Sequence, residues 1–217
     1  MSKTYKMSLW PWGFPTRELY FSAGNAKVRC PIFNVGSATH CAQRRNCPYD
    51  RLNYKRRGKP WCYAQKTENL YSTVLRCRDR NAEALGALHR GTIVRNDCLV
   101  AFELADRIAK VCVKMGRPYV RFNESGDLAV WNVKFLGYVA ARLNWHRIKS
   151  WTYSKAPLEL RQRLRYSGCR VLRSDIDFVC VDTAAEAKAL GLPLCPGGCG
   201  DTCTRCVEGK QTAIIRH

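Results

Sequence analysis

Residues 117–174, RPYVRFNESGDLAVWNVKFLGYVAARLNWHRIKSWTYSKAPLELRQRLRYSGCRVLRS, alternate between two hydrophobic rhythms. RPYVRFN (117–123) is a short apolar run that reads as a buried strand. LAVWNVKFLGYVAARLN (128–144) repeats its apolar residues at helical spacing. RIKSWTYS (147–154) returns to strand, and APLELRQRLRYSG (156–168) is a helix that Pro157 opens and Gly168 closes. CRVLRS (169–174) is a strand again. Strand and helix in strict succession call for a parallel sheet with right-handed crossovers.

The pattern extends in both directions. DCLVAFELADRIAKVCVKMG (97–116) places Val100, Leu104, Ile108 and Val111 on one helical stripe, with Gly116 as its stop. AQKTENLYSTVLR (64–76) and NAEALGALHR (81–90) also have helical spacing. Downstream, FVCVD (178–182) reads as a strand and TAAEAKALG (183–191) as a helix with Thr183 as N-cap. The first forty residues are rich in strands and turns: Pro11, Gly13 and Pro15 break any helix, and SAGNAKVRCPIFNVGS (22–37) reads as a hairpin or loop pair carrying Cys30. Three strand–helix units after residue 115 are too few for an eight-fold barrel. The fold expected is α/β: a partial barrel or open, mostly parallel sheet with crossover helices, over residues 1–194. A basic cysteine loop (41–62) lies within it, and a small Cys-rich appendage (195–217) packs on the same domain.

With 217 residues, 46% of them apolar, the chain can bury a core without cross-links. The opening residues do not read as a signal peptide, and no run approaches the ~20 apolar residues that span a bilayer. The expectation is a cytoplasmic protein without membrane contact, whose thiols stay reduced. Thirteen cysteines are an odd number, so complete internal pairing is impossible.

The net charge of +20 points to a polyanionic partner, nucleic acid first, as DNA or RNA. From Arg44 to Lys66 there are eight basic residues and one acid, interleaved with Tyr49, Tyr54, Trp61 and Tyr63. Cations that neutralise phosphate beside rings that stack on bases are the two ingredients of single-strand binding. Arg44, Arg45, Arg51, Tyr54, Lys55, Arg56, Arg57, Lys59 and Trp61 are the nucleic-acid-binding residues expected.

Cys98 and Cys112 fall in helical patterns, and Cys169 and Cys180 in strands, where a thiol behaves as a small hydrophobe. CPGGCGDTCTRC (195–206) differs. Its Cys195, Cys199, Cys203 and Cys206, on a glycine-bearing loop with little apolar surface, suit ligation of zinc or an iron–sulfur cluster equally. Cys41, Cys47 and Cys62, with Cys30 nearby, form a looser second set that would staple the basic loop. The two sets could share one centre, with His40 or His217 as a substitute ligand.

Several short motifs occur in order: FSAGNAKVRCPIF, CYAQKTE, RDRN, VRFNESGDL, WTYSK, LRSDID and a closing cysteine cluster ending in IIRH. Over roughly Ser22 to His217 this order resembles the bacteriophage family labelled gene product eighty-eight, with its plasmid and phage relatives. The resemblance implies an origin in phage or mobile elements, and hence the host cytoplasm, more than it implies a reaction. The chain departs from that pattern at Leu128, where members carry Pro, and in the inserted PYDRLNYKRRGKPW (48–61).

More distantly, CYA after spaced cysteines and an acidic Gly-Asp turn resemble a reduced radical S-adenosylmethionine barrel. The spacing of Cys199, Cys203 and Cys206 matches that superfamily's cluster-binding cysteines. This resemblance implies an iron–sulfur enzyme acting on nucleic acid or nucleotide precursors, with Asp127 or Glu124 on the cofactor's amino group. Lys155, Asp175 and Asp177 close the following strands and complete the catalytic candidates. The plainer reading of Asp127 is a turn residue capping the helix from Leu128.

Overall fold

The computed structural model describes residues 3–9, 18–26, 28–43, 62–93, 96–173, 178–181, 183–196, 203–208, 210 and 212–215. Its centre is a six-stranded mixed sheet whose strands lie side by side in chain order. These are β1 (Thr4–Ser8), β2 (Glu18–Ser22), β3 (Ile32–Phe33), β4 (Tyr119–Phe122), β5 (Lys149–Tyr153) and β6 (Arg170–Leu172). The first two pairings are antiparallel, and β3 to β6 run parallel.

Each parallel step needs a crossover, and helices supply it: α1 (Tyr63–Leu70), α2 (Ser72–His89) and α3 (Asp97–Met115) before β4, α4 (Val130–Trp145) before β5, and α5 (Leu158–Tyr166) before β6. Consecutive strand order with one hand of crossover places the crossover helices α2 to α5 on the same face of the sheet. One apolar cluster confirms it. Leu85 of α2, Leu104 and Ile108 of α3, Leu136 and Val139 of α4 and Leu164 of α5 all pack with Phe33, Val120, Phe122 and Val171 of the strands.

Register sorts the strand residues between the two faces. Phe33, Phe122, Thr152 and Val171 form one row beneath the helices, while Ile32, Arg121, Trp151 and Arg170 form the adjacent row on the second face. On that second face a smaller cluster gathers Val28, Cys30, Ile32, Trp151 and Leu172 with Cys206 and Val207. The last two belong to α7 (Arg205–Glu208), a single turn that packs against β5.

The expected α/β architecture, open and mostly parallel, is therefore present, with three local differences. The two helical stretches expected at 64–76 and 81–90 divide instead at Tyr71, whose φ of −132° is extended, and the charged segment RCRDR (76–80) lies inside α2. That segment is helical because Arg78 points inward to buried carboxylates and Asn81 bonds the backbone of both Tyr20 and Asn34. Next, β7 (Phe178–Val181) does not extend the main sheet. It pairs in parallel with β8 (Thr212–Ile215), and α6 (Ala184–Ala189) lies beside this pair over a core of Val181, Ala187 and Ala213. Finally, Asp127 does not cap α4. The Asn132 side chain does, accepting from Ala129 N at 2.9 Å and donating to Asp127 O at 3.0 Å.

Gly116 stops α3 in the left-handed region as expected, and Thr183 Oγ1 accepts from Glu186 N at the start of α6. Among the described residues no helix is long and apolar enough to cross a membrane.

Candidate functional site

Parallel α/β sheets gather ligands at the carboxyl ends of their strands, and polar residues are concentrated there. Asn34 follows β3, Asn123 to Asp127 follow β4, and Ser154 and Lys155 follow β5. Asn123 takes a left-handed φ of 55°, a conformation Asn tolerates better than most residues. Its Oδ1 accepts from Val35 N at 3.3 Å, while Asn34 Oδ1 accepts from Ser125 N at 2.9 Å, so two asparagines stitch the ends of β3 and β4 to each other. Gly126, at φ 76°, lies so close to the other loop that a Cβ there would be 3.1 Å from Gly36 O.

Beneath these loops runs a buried ionic chain. Arg78 donates from Nη1 to Glu68 at 2.9 Å and from Nη2 to Glu124 at 3.2 Å, and all three side chains are under one-tenth exposed. Glu68 also accepts from Ala38 N and from Ser125 Oγ. The remaining oxygen of Glu124 accepts from Asn25 Nδ2 at 2.7 Å. Asp127 is equally committed: Oδ1 accepts from Leu128 N and Ser154 Oγ, and Oδ2 from Lys155 N. Burial raises its carboxyl above the usual range, and those three donors pull it part of the way back. Both carboxylates expected to touch a cofactor therefore tie loops together in this structure. Asp175 and Asp177 lie outside the described residues.

The cysteines divide into two kinds. Cys112 and Cys169 are buried singly, and burial pushes each thiol up to about 12. Such groups are inert at neutral pH, as packing residues should be. Cys98 is half-buried on α3. Cys77 is half-buried on α2, and burial raises its thiol. Of Cys180 only the backbone, within β7, is described.

The tail thiols form a group. Cys195 is anchored by its N–H on Ala213 O at 2.8 Å, and Cys203 and Cys206 are buried. Burial pushes the Cys206 thiol up, and a hydrogen bond with Tyr153 draws it down. The neighbouring Cys195 and Cys203 raise it further, and Arg121 opposes them. Arg121 itself lies 5.2 Å from the centre of the Tyr153 ring, and its Nε is buried with no hydrogen-bond partner among the described residues. Three soft sulfur donors and one guanidinium thus act on one another electrostatically, with Cys206 on the second face of the sheet. Their donor chemistry fits a thiophilic metal. No three described Cys, His, Asp or Glu side chains converge closely enough to hold an ion by themselves, and the fourth thiol of the motif, Cys199, lies outside the described residues.

Of the second set, Cys41 follows a 3-10 turn at Ala38–His40 and Cys62 precedes α1. These two elements are tied where Glu68 of α1 accepts from Ala38 N at 3.1 Å. Cys47 lies outside the described residues, as do Arg44, Arg45, Arg51, Tyr54, Lys55, Arg56, Arg57, Lys59 and Trp61, which make up the expected nucleic-acid surface. His40 Nδ1 is 2.9 Å from Ser37 Oγ and 3.2 Å from Asp79, which places it beside the 3-10 turn; His217 is outside the described residues. Arg78 and Glu68 were not anticipated as site residues, because local periodicity assigns charged side chains to solvent.

No family model matches the chain, and neither the curated proteins nor the solved structures contain a match.

Proposed function

We propose that the chain is a phage or mobile-element protein that binds nucleic acid through a basic, aromatic-rich surface organised by cysteine-held metal. The observation that carries this reading is the grouping of Cys195, Cys203 and Cys206 beside Arg121, in a chain of net charge +20. Cys195, Cys203 and Cys206, joined by Cys199, would hold zinc or an iron–sulfur cluster. The set of Cys41, Cys47 and Cys62 would staple the basic loop in the same way. A bound ion would neutralise the thiolates and fix the turn at α7 on β5. The cationic chain then neutralises phosphates, and its exposed rings stack on bases.

The test is elemental analysis and an absorption spectrum on protein purified without air, repeated for Cys203→Ser and Cys206→Ser. Stoichiometric zinc or iron in the parent, lost together with nucleic-acid affinity in the variants, supports the reading. Metal-free protein with all thiols titrating freely rejects it.

The topology favours a second reading, an iron–sulfur enzyme that uses S-adenosylmethionine. Its supporting observation is a run of consecutive parallel strands with the main crossover helices packed on one face, the first followed by a cysteine-bearing loop and the second by Glu124 and Asp127. Under it, Glu124 or Asp127 exchanges a present partner for the cofactor, and Lys155, Asp175 and Asp177 lie at the neighbouring strand ends. It predicts a brown protein whose colour disappears when Cys199, Cys203 and Cys206 become Ala. Colourless anaerobic protein with stoichiometric zinc excludes it.

A further inference from the structure

The amino ends of the strands carry a surface unlike anything among the described residues at the carboxyl ends. Trp145, the last residue of α4, is 77% exposed, and Tyr166, the last residue of α5, is 88% exposed. Neither ring contributes to the core, although Leu143 and Leu164, two residues earlier on each helix, are fully buried. The two helix ends lie side by side. A Cβ on Gly168 would be 3.4 Å from the Asn144 side chain, and one on Gly137 would be 2.9 Å from Ser167 Oγ.

The charge around them is almost all of one sign. Segments 107–117, 141–149 and 163–170, which contain the ends of α3, α4 and α5 and the turns that follow, together hold ten Lys and Arg and no Asp or Glu, and Glu208 of α7 interacts with Lys149. Lys114, Arg147, Arg163 and Arg165 are exposed there. Asp106, just outside the first segment, is already held by Arg142 and His146 at 2.8 and 2.7 Å.

We propose that this edge, with Trp145 and Tyr166 as stacking rings and Lys114, Arg147, Arg163 and Arg165 as phosphate contacts, is a docking platform for single-stranded nucleic acid. The proposal rests on the nucleic-acid reading above and assigns it a location apart from the basic loop. Flat rings standing free beside guanidinium groups suit bases and phosphates. An anionic membrane surface would share the charge, but it would also need a broad apolar face. Near these helix ends Val139, Leu143 and Leu164 are buried against the sheet, and Val113 of α3 is the one largely exposed aliphatic side chain there among the described residues.

The test is fluorescence anisotropy with a labelled single-stranded oligothymidylate. It compares the parent, Trp145→Ala/Tyr166→Ala, Trp145→Phe/Tyr166→Phe and Arg56→Ala/Arg57→Ala, with phosphatidylglycerol vesicles as a parallel arm. The proposal expects the alanine pair to weaken binding at least about tenfold, and the phenylalanine pair to retain most of it. It expects the alanine pair to melt like the parent. If the alanine pair binds like the parent while Arg56→Ala/Arg57→Ala does not, the platform is rejected and the nucleic-acid reading stands. A parent that binds no oligonucleotide, whether or not it binds vesicles, overturns both.

Discussion

The two edges of the parallel sheet have opposite characters. At the carboxyl edge Glu68, Arg78, Glu124, Ser125 and Asp127 lie under the loops and bond to one another or to backbone. At the amino edge Trp145, Tyr166 and their neighbouring cations stand in solvent. Polar residues at strand ends are usually read as a ligand site. Here the described carboxylates at that edge hold the architecture, although Arg78 Nε and Asn123 Nδ2 are buried there without a partner among the described residues. Further unassigned chemistry lies on the second face and at the opposite edge. Partners, more than position in the fold, separate a structural carboxylate from a functional one.

This contrast can be broken by substitution. The largest effect is expected for Arg78→Met, which leaves Glu68 and Glu124 buried without their cation. A loss of about 3–5 kcal/mol in denaturant unfolding is expected, and a loss under about 1 kcal/mol would show that the edge is not structural. Asp127→Asn comes next, at about 1–3 kcal/mol, because the amide presents a donor to the N–H of Lys155 or to that of Leu128.

The same residue supplies a pH signature. The Asp127 carboxyl is raised, so its stabilising contribution is complete below the ordinary carboxylate value and is lost as pH rises through its raised value. The cost of Asp127→Asn should therefore be greatest in acid and shrink toward neutrality. Asp106, whose carboxyl Arg142 lowers, acts in the opposite sense: its contribution is present above the ordinary value and lost as pH falls through the lowered one. A cost of Asp127→Asn that grows with pH would contradict the assignment.

Gly126→Ala sharpens the contrast further. It places a Cβ at φ 76° against the Gly36 backbone, for an expected loss of about 1–2 kcal/mol. The smallest effect belongs to the other edge. Trp145→Ala and Tyr166→Ala should each change stability by no more than about 0.5 kcal/mol, since neither ring is packed. A larger loss would mean that the rings serve the fold.

Much of this architecture can be read from local pattern. The shift of period between 117–123 and 128–144 marks β4 and α4, and Gly116, Pro157 and Thr183 bound α3, α5 and α6 close to where they were expected. What local pattern misses depends on distant partners. Arg78 is 46 residues from Glu124, and Asn81 is 61 from Tyr20, so nothing near RCRDR signals that it turns inward. The departure of β7 depends likewise on pairing with β8, more than thirty residues later. Trp145 and Tyr166 were hidden for the converse reason: they continue the apolar count of α4 and α5 while standing outside the core. The thiols were legible in part. Spacing marks Cys195, Cys199, Cys203 and Cys206 as a set, but the placement of Cys206 with Trp151 and near Arg121 arises from the sheet's register.

The central claim is that this strongly cationic chain binds nucleic acid by neutralising phosphate. It is tested most directly by measuring affinity for single-stranded DNA and RNA across a series of salt concentrations. The account predicts that log K falls steeply and linearly with log salt, with a slope of about −0.7 for each phosphate neutralised. Affinity that stays unchanged from low to moderate salt, or no measurable binding at low salt, would contradict it.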